Sequence, residues 1–557
     1  MTGRSLRSIR SIFGLLAAFA LAALVVPVVL RAQVTSERLI NSAAEPQNWL
    51  TYNGGYNGQR HSALKQITAA NAKNLELKWV FQAQSLQTFE ATPLVVDGIM
   101  YTTQAPNDVV ALDAKTGRVF WMYRYTLPAE IRICCGQINR GLGMLGDTLF
   151  MGTIDAHLVA IDAKSGRPLW KTKVADNALG YALAVAPLVV KDKVIVGVAG
   201  GEYGIRGFMA AFDAKTGKEV WRFKIIPEPG EKGNETWPGT TWEHGGGSVW
   251  VTGAYDPALN LTYWGTGNPG PDWNPDVRKG DNLYTDSVIA LDADTGQLKW
   301  HFQFTPNDGY DYDSVQVPIL ADANWNGQPR KLMYWANRNG FFYVLDRTDG
   351  KFLFGKPFVK LNWASGLDAN GRPIPTRQPP GVETYPGLAG GTNWFSPSYN
   401  PRTGLFYVSV WENYRNVFST NDQVYQPGRQ YTGGRGANPI PHAPNIPTLR
   451  RGPINTWTEE QGTGAVIAID PKTGNHEWRF PMNDVTDSGV LTTDSDVVIT
   501  GSREGHFHVL DARAGNVLWK TSLGGPISSG PITYAVDGKQ YIAVNAGNSM
   551  FVFALRE

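Results

Sequence analysis

A chain of 557 residues is too long for one compact sandwich, yet no Pro/Ser-rich stretch divides it into independent domains, so one large repeat-built domain is as plausible as several ordinary ones. Its 61 Gly, 35 Pro, 19 Trp, 22 Tyr and 23 Phe favour an all-β class with few helices. A net charge of only +2, with basic residues scattered rather than grouped, leaves no electrostatic footprint for nucleic acid and excludes it as a partner.

Residues 1–32 read as an export signal: Arg4, Arg7 and Arg10 precede an apolar run from Ile12 to Leu30 that ends at Leu30-Arg31-Ala32. The mature domain then spans 33–557. An uncleaved membrane anchor is the alternative, since the run approaches spanning length. Either reading puts the body outside the cytoplasm, in the periplasm.

The next feature is a repeat. D-x-x-T-G-x-x-x-W recurs in ALDAKTGRVFW (Ala111 to Trp121), AFDAKTGKEVW (Ala211 to Trp221), ALDADTGQLKW (Ala290 to Trp300) and AIDPKTGNHEW (Ala468 to Trp478). Variants stand at Ala160 to Trp170, Val344 to Phe354 and Val509 to Trp519. Each copy predicts a strand, a tight turn whose Gly takes positive φ, and a second strand whose aromatic docks on the neighbouring unit. Steps of about 50 residues match one four-stranded propeller blade. The long interval between Asp346 and Asp470 leaves room for a further blade around TGLFYVSVW (Thr403 to Trp411), which makes eight. Leu77-Lys78-Trp79 looks like the closing half of a repeat without its turn, so an N-terminal strand is expected to complete the last blade. An eight-bladed β-propeller of this kind also serves as a non-catalytic scaffold in outer-membrane protein assembly, and the repeats alone do not separate that reading from an enzyme.

The segments between repeats are unusually polar. The two cysteines of the chain are adjacent, Cys134 and Cys135, and so cannot staple distant segments. Together with the opening block NWLTYNGGYNGQRHSALKQI and the segments ICCGQINRG, GGEYGIRG, GGGSVW, GTGNP and NRNGFFYVLDR in that order, they resemble the quinoprotein alcohol dehydrogenases, the methanol and ethanol dehydrogenase family that uses pyrroloquinoline quinone (PQQ). The resemblance runs from about Trp49 to Phe553.

The resemblance implies a set of roles. Cys134 and Cys135 would form a disulfide between neighbours, packed on one face of the quinone; the plainer reading is two buried thiols. Trp250, with Ser248 in the same GGGSVW segment, would cover the opposite face, and Gly245 to Gly247 would let the backbone approach it. Arg140 would meet the cofactor's acidic groups, as a guanidinium fork suits a carboxylate. Glu90, Gly200, Gly201, Asn393 and Trp394 match cofactor-edge positions. Glu202, Asn268, Asp311 and Asp313 would hold the metal, and an oxygen-only set suits a hard cation rather than zinc. Asp311 matches the catalytic base, and Arg338 the arginine beside the reactive quinone carbonyls.

Asp311 and Asp313, two apart, would share one side of an extended strand. An acidic residue at the Asp313 position goes, within the family, with lanthanide-dependent members, calcium being the alternative ion. On residue type alone, Asp308, Asp311 and Asp313 read equally as a solvated acidic loop. Two positions depart from the family pattern: Ala184 stands where a threonine is usual and Asp487 where a tryptophan is usual, which puts substrate preference in doubt.

No Cys-x-x-Cys-His occurs, so the sequence has no c-type haem attachment site, and no G-x-G-x-x-G lies in a βαβ setting. The resemblance then implies a small alcohol as substrate, oxidised to an aldehyde, and a soluble cytochrome c as electron acceptor. Oligomeric state stays open, a homodimer included.

Overall fold

The computed structural model describes residues 34–379, 381–437 and 462–556; the expected export signal over 1–32 lies outside the described residues. The architecture is all-β. One short α-helix, Ser36–Ile40, and brief 3-10 turns are the helical elements among the described residues. No helix there is long and apolar enough to cross a membrane.

Each repeat folds as its pattern requires. Asp108–Asp113 and Val119–Tyr123 pair antiparallel across the Asp113-to-Arg118 turn, and Phe208–Asp213 pairs with Glu219–Lys224 in the same way. The turn Asp holds the motif closed: Asp213 accepts from the backbone N–H and the hydroxyl of Thr216, at 2.8 and 2.6 Å. Two further strands precede each such hairpin. The described residues contain seven four-stranded sheets and one five-stranded sheet, following one another as blades of a β-propeller.

Neighbouring sheets are joined through the repeat's aromatic residue. Trp121, Trp170, Trp221 and Trp478 donate their indole N–H to the carbonyls of Ala163, Ala214, Ala293 and Ala512, each in the following repeat, at 2.9 to 3.2 Å. The ring also lies against that repeat's turn glycine. At Gly217, with φ +69°, a Cβ would sit 2.6 Å from the Trp170 ring.

One expectation is corrected. Thr403 to Trp411 founds no sheet of its own. It supplies Leu405–Glu412, an inner strand between Ser398–Asn400 and Thr463–Ile469, in the sheet that carries the Asp470 repeat. A long insertion splits that sheet in sequence, and Asn416–Thr420 and Gly434–Ala437 within it pair in a separate small sheet with Glu383–Thr384. The sheet outside the seven repeats comes from the two ends of the chain: Leu75–Gln82, which contains Trp79, pairs with Ser549–Leu555 beside Lys539–Ala546 and Ile532–Val536. This closing strand is the one Leu77-Lys78-Trp79 foretold.

Antiparallel order fixes where chemistry can gather. In a four-stranded meander the turn between the second and third strands and the crossover to the next sheet emerge at one end, and the repeat's D-x-x-T-G turn at the other. The loops holding Cys134, Trp250, Asp311 and Trp394 are crossovers between sheets; those holding Glu202, Asn268 and Arg338 join second to third strands. All therefore face the end opposite the repeat turns.

Gly217→Ala should destabilise the protein by roughly 1–3 kcal/mol, from left-handed strain and a clash with Trp170. A thermal or urea melt reads the effect, and the wild-type midpoint would argue against this joint between sheets.

Candidate active site

At that end lies a cavity of about 180 Å³ lined by Cys134, Cys135, Arg140, Gly200, Glu202, Ser248, Trp250, Asp311, Asp313, Arg338, Asn393 and Trp394. Ala184 lines it too. Sequence positions from 134 to 394 thus meet around one space. Of the other expected residues, Glu90, Gly201 and Asn268 lie just behind the wall, and Asp487 is buried and is not part of the lining.

Cys134 and Cys135 are bonded to each other, and Cys135 is exposed, so the reading as two buried thiols is set aside. The Cys135 sulfur stands 3.3 Å from a Glu202 oxygen. Arg140 sits deeper. Its guanidinium lies 4.8 Å from the ring centroids of both Trp250 and Trp394 and donates to Glu90 at 3.0 Å. Glu90 therefore holds the arginine from behind, leaving the cavity wall to the cation and the two indoles.

Gly245 to Gly247 let two loops pack closely. Gly247 N–H donates to the Asn268 carbonyl at 2.9 Å, and a Cβ at Gly246, φ +71°, would meet that same oxygen at 2.8 Å. The glycines thus press one loop against another and fix Asn268, whose own N–H donates to Asp313 at 2.9 Å.

The acidic loop differs from its expectation in conformation and in burial. Residues 311–315 form no strand, and Asp311 adopts the left-handed region at φ +63°. Asp308 organises the bend by accepting the backbone N–H groups of Tyr310 and Tyr312, at 2.9 and 2.7 Å. The Asp311 and Asp313 carboxylates still converge, because both accept from Arg338, at 3.1 and 2.8 Å. Arg338 is fixed in turn by the Leu388 carbonyl, 2.7 Å from one nitrogen. Asp308 is 1 % exposed and Asp313 6 %, so a solvated loop is excluded.

These carboxylates are crowded. Burial, with repulsion from Asp313, pushes the Glu202 carboxyl up to about 7. Burial also raises Asp311 far above the usual carboxylate range, against the pull of Arg338 and with the push of Asp313, and raises Asp313 itself. Asp272, which the sequence reading did not single out, belongs to the same set: burial raises it well above the usual range, and Glu202 and Asp313 add to the rise. Arg338 is held above its ordinary value by Asp311 and Asp313 although burial opposes this. Arg338 bridges Asp311 and Asp313, Glu202 and Asp272 act on them electrostatically, and oxygen donors of this kind suit a hard cation.

The family described as glucose/ethanol/alcohol dehydrogenase, β-propeller domain, PQQ, matches residues 49–360 and 364–542. The quinoprotein alcohol dehydrogenase PedH of Pseudomonas putida is 38% identical over 546 residues, covering 93% of this chain and 89% of that protein. The lanthanide-dependent methanol dehydrogenase of Methylacidiphilum fumariolicum is 37% identical over 547 residues, covering 92% and 86%. Among solved structures, a europium-containing methanol dehydrogenase superposes with a TM-score of 0.84 at 33% identity, covering 93% of this chain and 100% of that one. The quinohemoprotein alcohol dehydrogenase of Comamonas testosteroni gives 0.85 at 34%, covering 94% and 82%.

Glu90→Ala would leave the Arg140 guanidinium buried without its carboxylate, at a cost of roughly 3–5 kcal/mol. Glu90→Gln, which keeps an acceptor, should cost less. Denaturant titration of the two variants measures the difference; equal midpoints would show that the charge of Glu90 does not hold Arg140.

Proposed function

The chain belongs to the PQQ-dependent glucose/ethanol/alcohol dehydrogenase family of β-propellers, and on that premise we propose that it is a periplasmic enzyme oxidising small alcohols to aldehydes with PQQ and one bound metal ion, exported through residues 1–32 and handing electrons to a soluble cytochrome c. The body, residues 33–557, is read as eight blades docked through the repeat aromatics; its eight larger sheets and its indole-to-turn contacts support this.

The observation that carries the reading is the composition of the cavity wall: a vicinal disulfide and an indole, both suited to a flat ring, beside an arginine and a buried acidic cluster. Cys134, Cys135 and Trp250 would hold PQQ by its faces, Arg140, Ser248, Asn393 and Trp394 would meet its edge, and Glu90, Gly200 and Gly201 would support that edge. Glu202, Asn268, Asp311 and Asp313 are the metal donors. The excess of carboxyls over the single Arg338 favours a lanthanide over Ca2+. When bound, the quinone would accept hydride from the alcohol carbon, and the cation would make it a better acceptor.

The chain's own residues do the rest. Asp311, at the cavity wall and oriented by Arg338, takes the alcohol's hydroxyl proton. Arg338, anchored on Leu388, stabilises negative charge that develops on oxygen. A purely structural scaffold would gain nothing from crowding buried carboxyls about a cavity, since each costs free energy to desolvate.

Protein reconstituted with PQQ and lanthanum should show a quinone absorption band and reduce an artificial dye when given ethanol. Asp311→Ala should keep the band and lose about a hundredfold or more in turnover. A colourless protein inert with added quinone and metal would overturn the enzyme reading, and full turnover in Asp311→Ala would remove Asp311 as base.

A further inference from the structure

Asp272 lies in the Pro271-Asp272-Trp273 stretch between the strands Leu261–Gly265 and Ser287–Asp292, four residues past Asn268. It is 1 % exposed, and no hydrogen bond of good geometry reaches either carboxylate oxygen. The Asn268 side-chain amide beside it eases the charged form, and the Asn268 Nδ2 is likewise buried with no well-formed hydrogen bond. No ion pair involving Asp272 occurs among the described residues.

Its surroundings are built to keep the carboxylate where it is. Arg278, fully buried, donates to the backbone carbonyls of Pro271 and Asp272, at 3.1 and 3.3 Å, and to that of Asp308. The guanidinium thereby spends its donors on main-chain oxygens and on the Asn282 side-chain oxygen, 3.0 Å away, and ties the Asp272 segment to the base of the Asp308-to-Asp313 loop. Trp273 N–H donates to the Thr432 carbonyl at 2.9 Å, fixing the other side of the stretch. Asp272 is buried beside Asn268, whose backbone N–H donates to Asp313 at 2.9 Å, and it interacts electrostatically with Glu202 and Asp313.

A buried carboxylate held rigidly, with no well-formed hydrogen bond to its oxygens, costs several kcal/mol in a protein that has nothing to put against it. A cation removes that cost. We propose that Asp272 is a further anionic donor to the metal site, adding a carboxylate beside Glu202, Asp311 and Asp313 and biasing the site toward trivalent over divalent ions. This rests on the reading of that cluster as the metal centre. With Asp272 included, a fourth carboxylate adds to the negative charge at the site, and a trivalent ion offsets more of that charge than a divalent one.

The test reads the metal rather than turnover. PQQ-loaded, metal-free protein is titrated with europium(III) by luminescence and with calcium by competition, and the europium-bound water count is taken from decay rates in H2O and D2O. Asp272→Asn, isosteric with the protonated acid, should weaken europium binding roughly ten- to a hundredfold, affect calcium less, and admit about one more water. Its metal-free form should melt no lower than wild type, since a buried repulsion has been removed; Asp272→Ser, a smaller side chain, should show the same metal defect if the first variant folds poorly. Unchanged europium affinity and hydration in a folded variant would overturn the role of Asp272 alone. Failure of the wild-type protein to take up europium would overturn the metal centre itself, and this inference with it.

Discussion

The crowding of acidic groups about Arg338 is the constraint on which the site depends. Arg338 bridges Asp311 and Asp313, yet Glu202 and Asp272 crowd the same space, and burial raises all four carboxyls above their ordinary range. Such a cluster is tolerable only when protons or a cation balance it. The left-handed bend at Asp311, the backbone N–H of Asn268 on Asp313 and the Arg278 clamp behind Asp272 all hold the acids together in spite of their repulsion. Rigid scaffolding of that kind is how binding sites keep a geometry that a free chain would relax.

The ring supplies that rigidity by separating two tasks. One end carries the D-x-x-T-G turns, whose glycines receive the indoles of the preceding sheet and so set the spacing between sheets. The other end carries the connections outside the repeat motif, which bond to one another across neighbouring sheets and carry the polar groups of the cavity. Cys134-Cys135, Glu202, Trp250, Asp311, Arg338 and Trp394 come from connections of several different sheets, and each reaches the cavity because the neighbouring strands are pinned at the far end.

Legibility in the sequence divides along the same line. The repeat turns were readable because Asp, Thr and Gly at fixed spacing encode a local hydrogen-bonding pattern, and Trp79 marked the closing strand by its place alone. The Thr403 to Trp411 stretch misled because an alternating apolar strand says nothing about which later strand pairs with it, and its partner Thr463–Ile469 lies beyond an insertion. Asp311 and Asp313 converge as expected, but through a bend and a shared arginine rather than a strand. Asp272 was invisible: a Pro-Asp-Trp triplet reads as an exposed turn, and its burial follows from contacts with Arg278, more distant in the chain, and with the loop at Asp308. Gly245 to Gly247 stood out as a run of three, but the loop-on-loop packing they allow was not legible, because its partner at Asn268 is about twenty residues on.

The central claim, that this pocket holds PQQ together with a highly charged cation, is tested most directly by calorimetric titration of metal-free protein with PQQ in the presence of lanthanum, of calcium, or of a chelator. The account predicts one PQQ per chain, bound more tightly with lanthanum than with calcium and weakly under chelation, because only the cation relieves the repulsion at the cavity wall. PQQ binding of equal strength in all three conditions would contradict it.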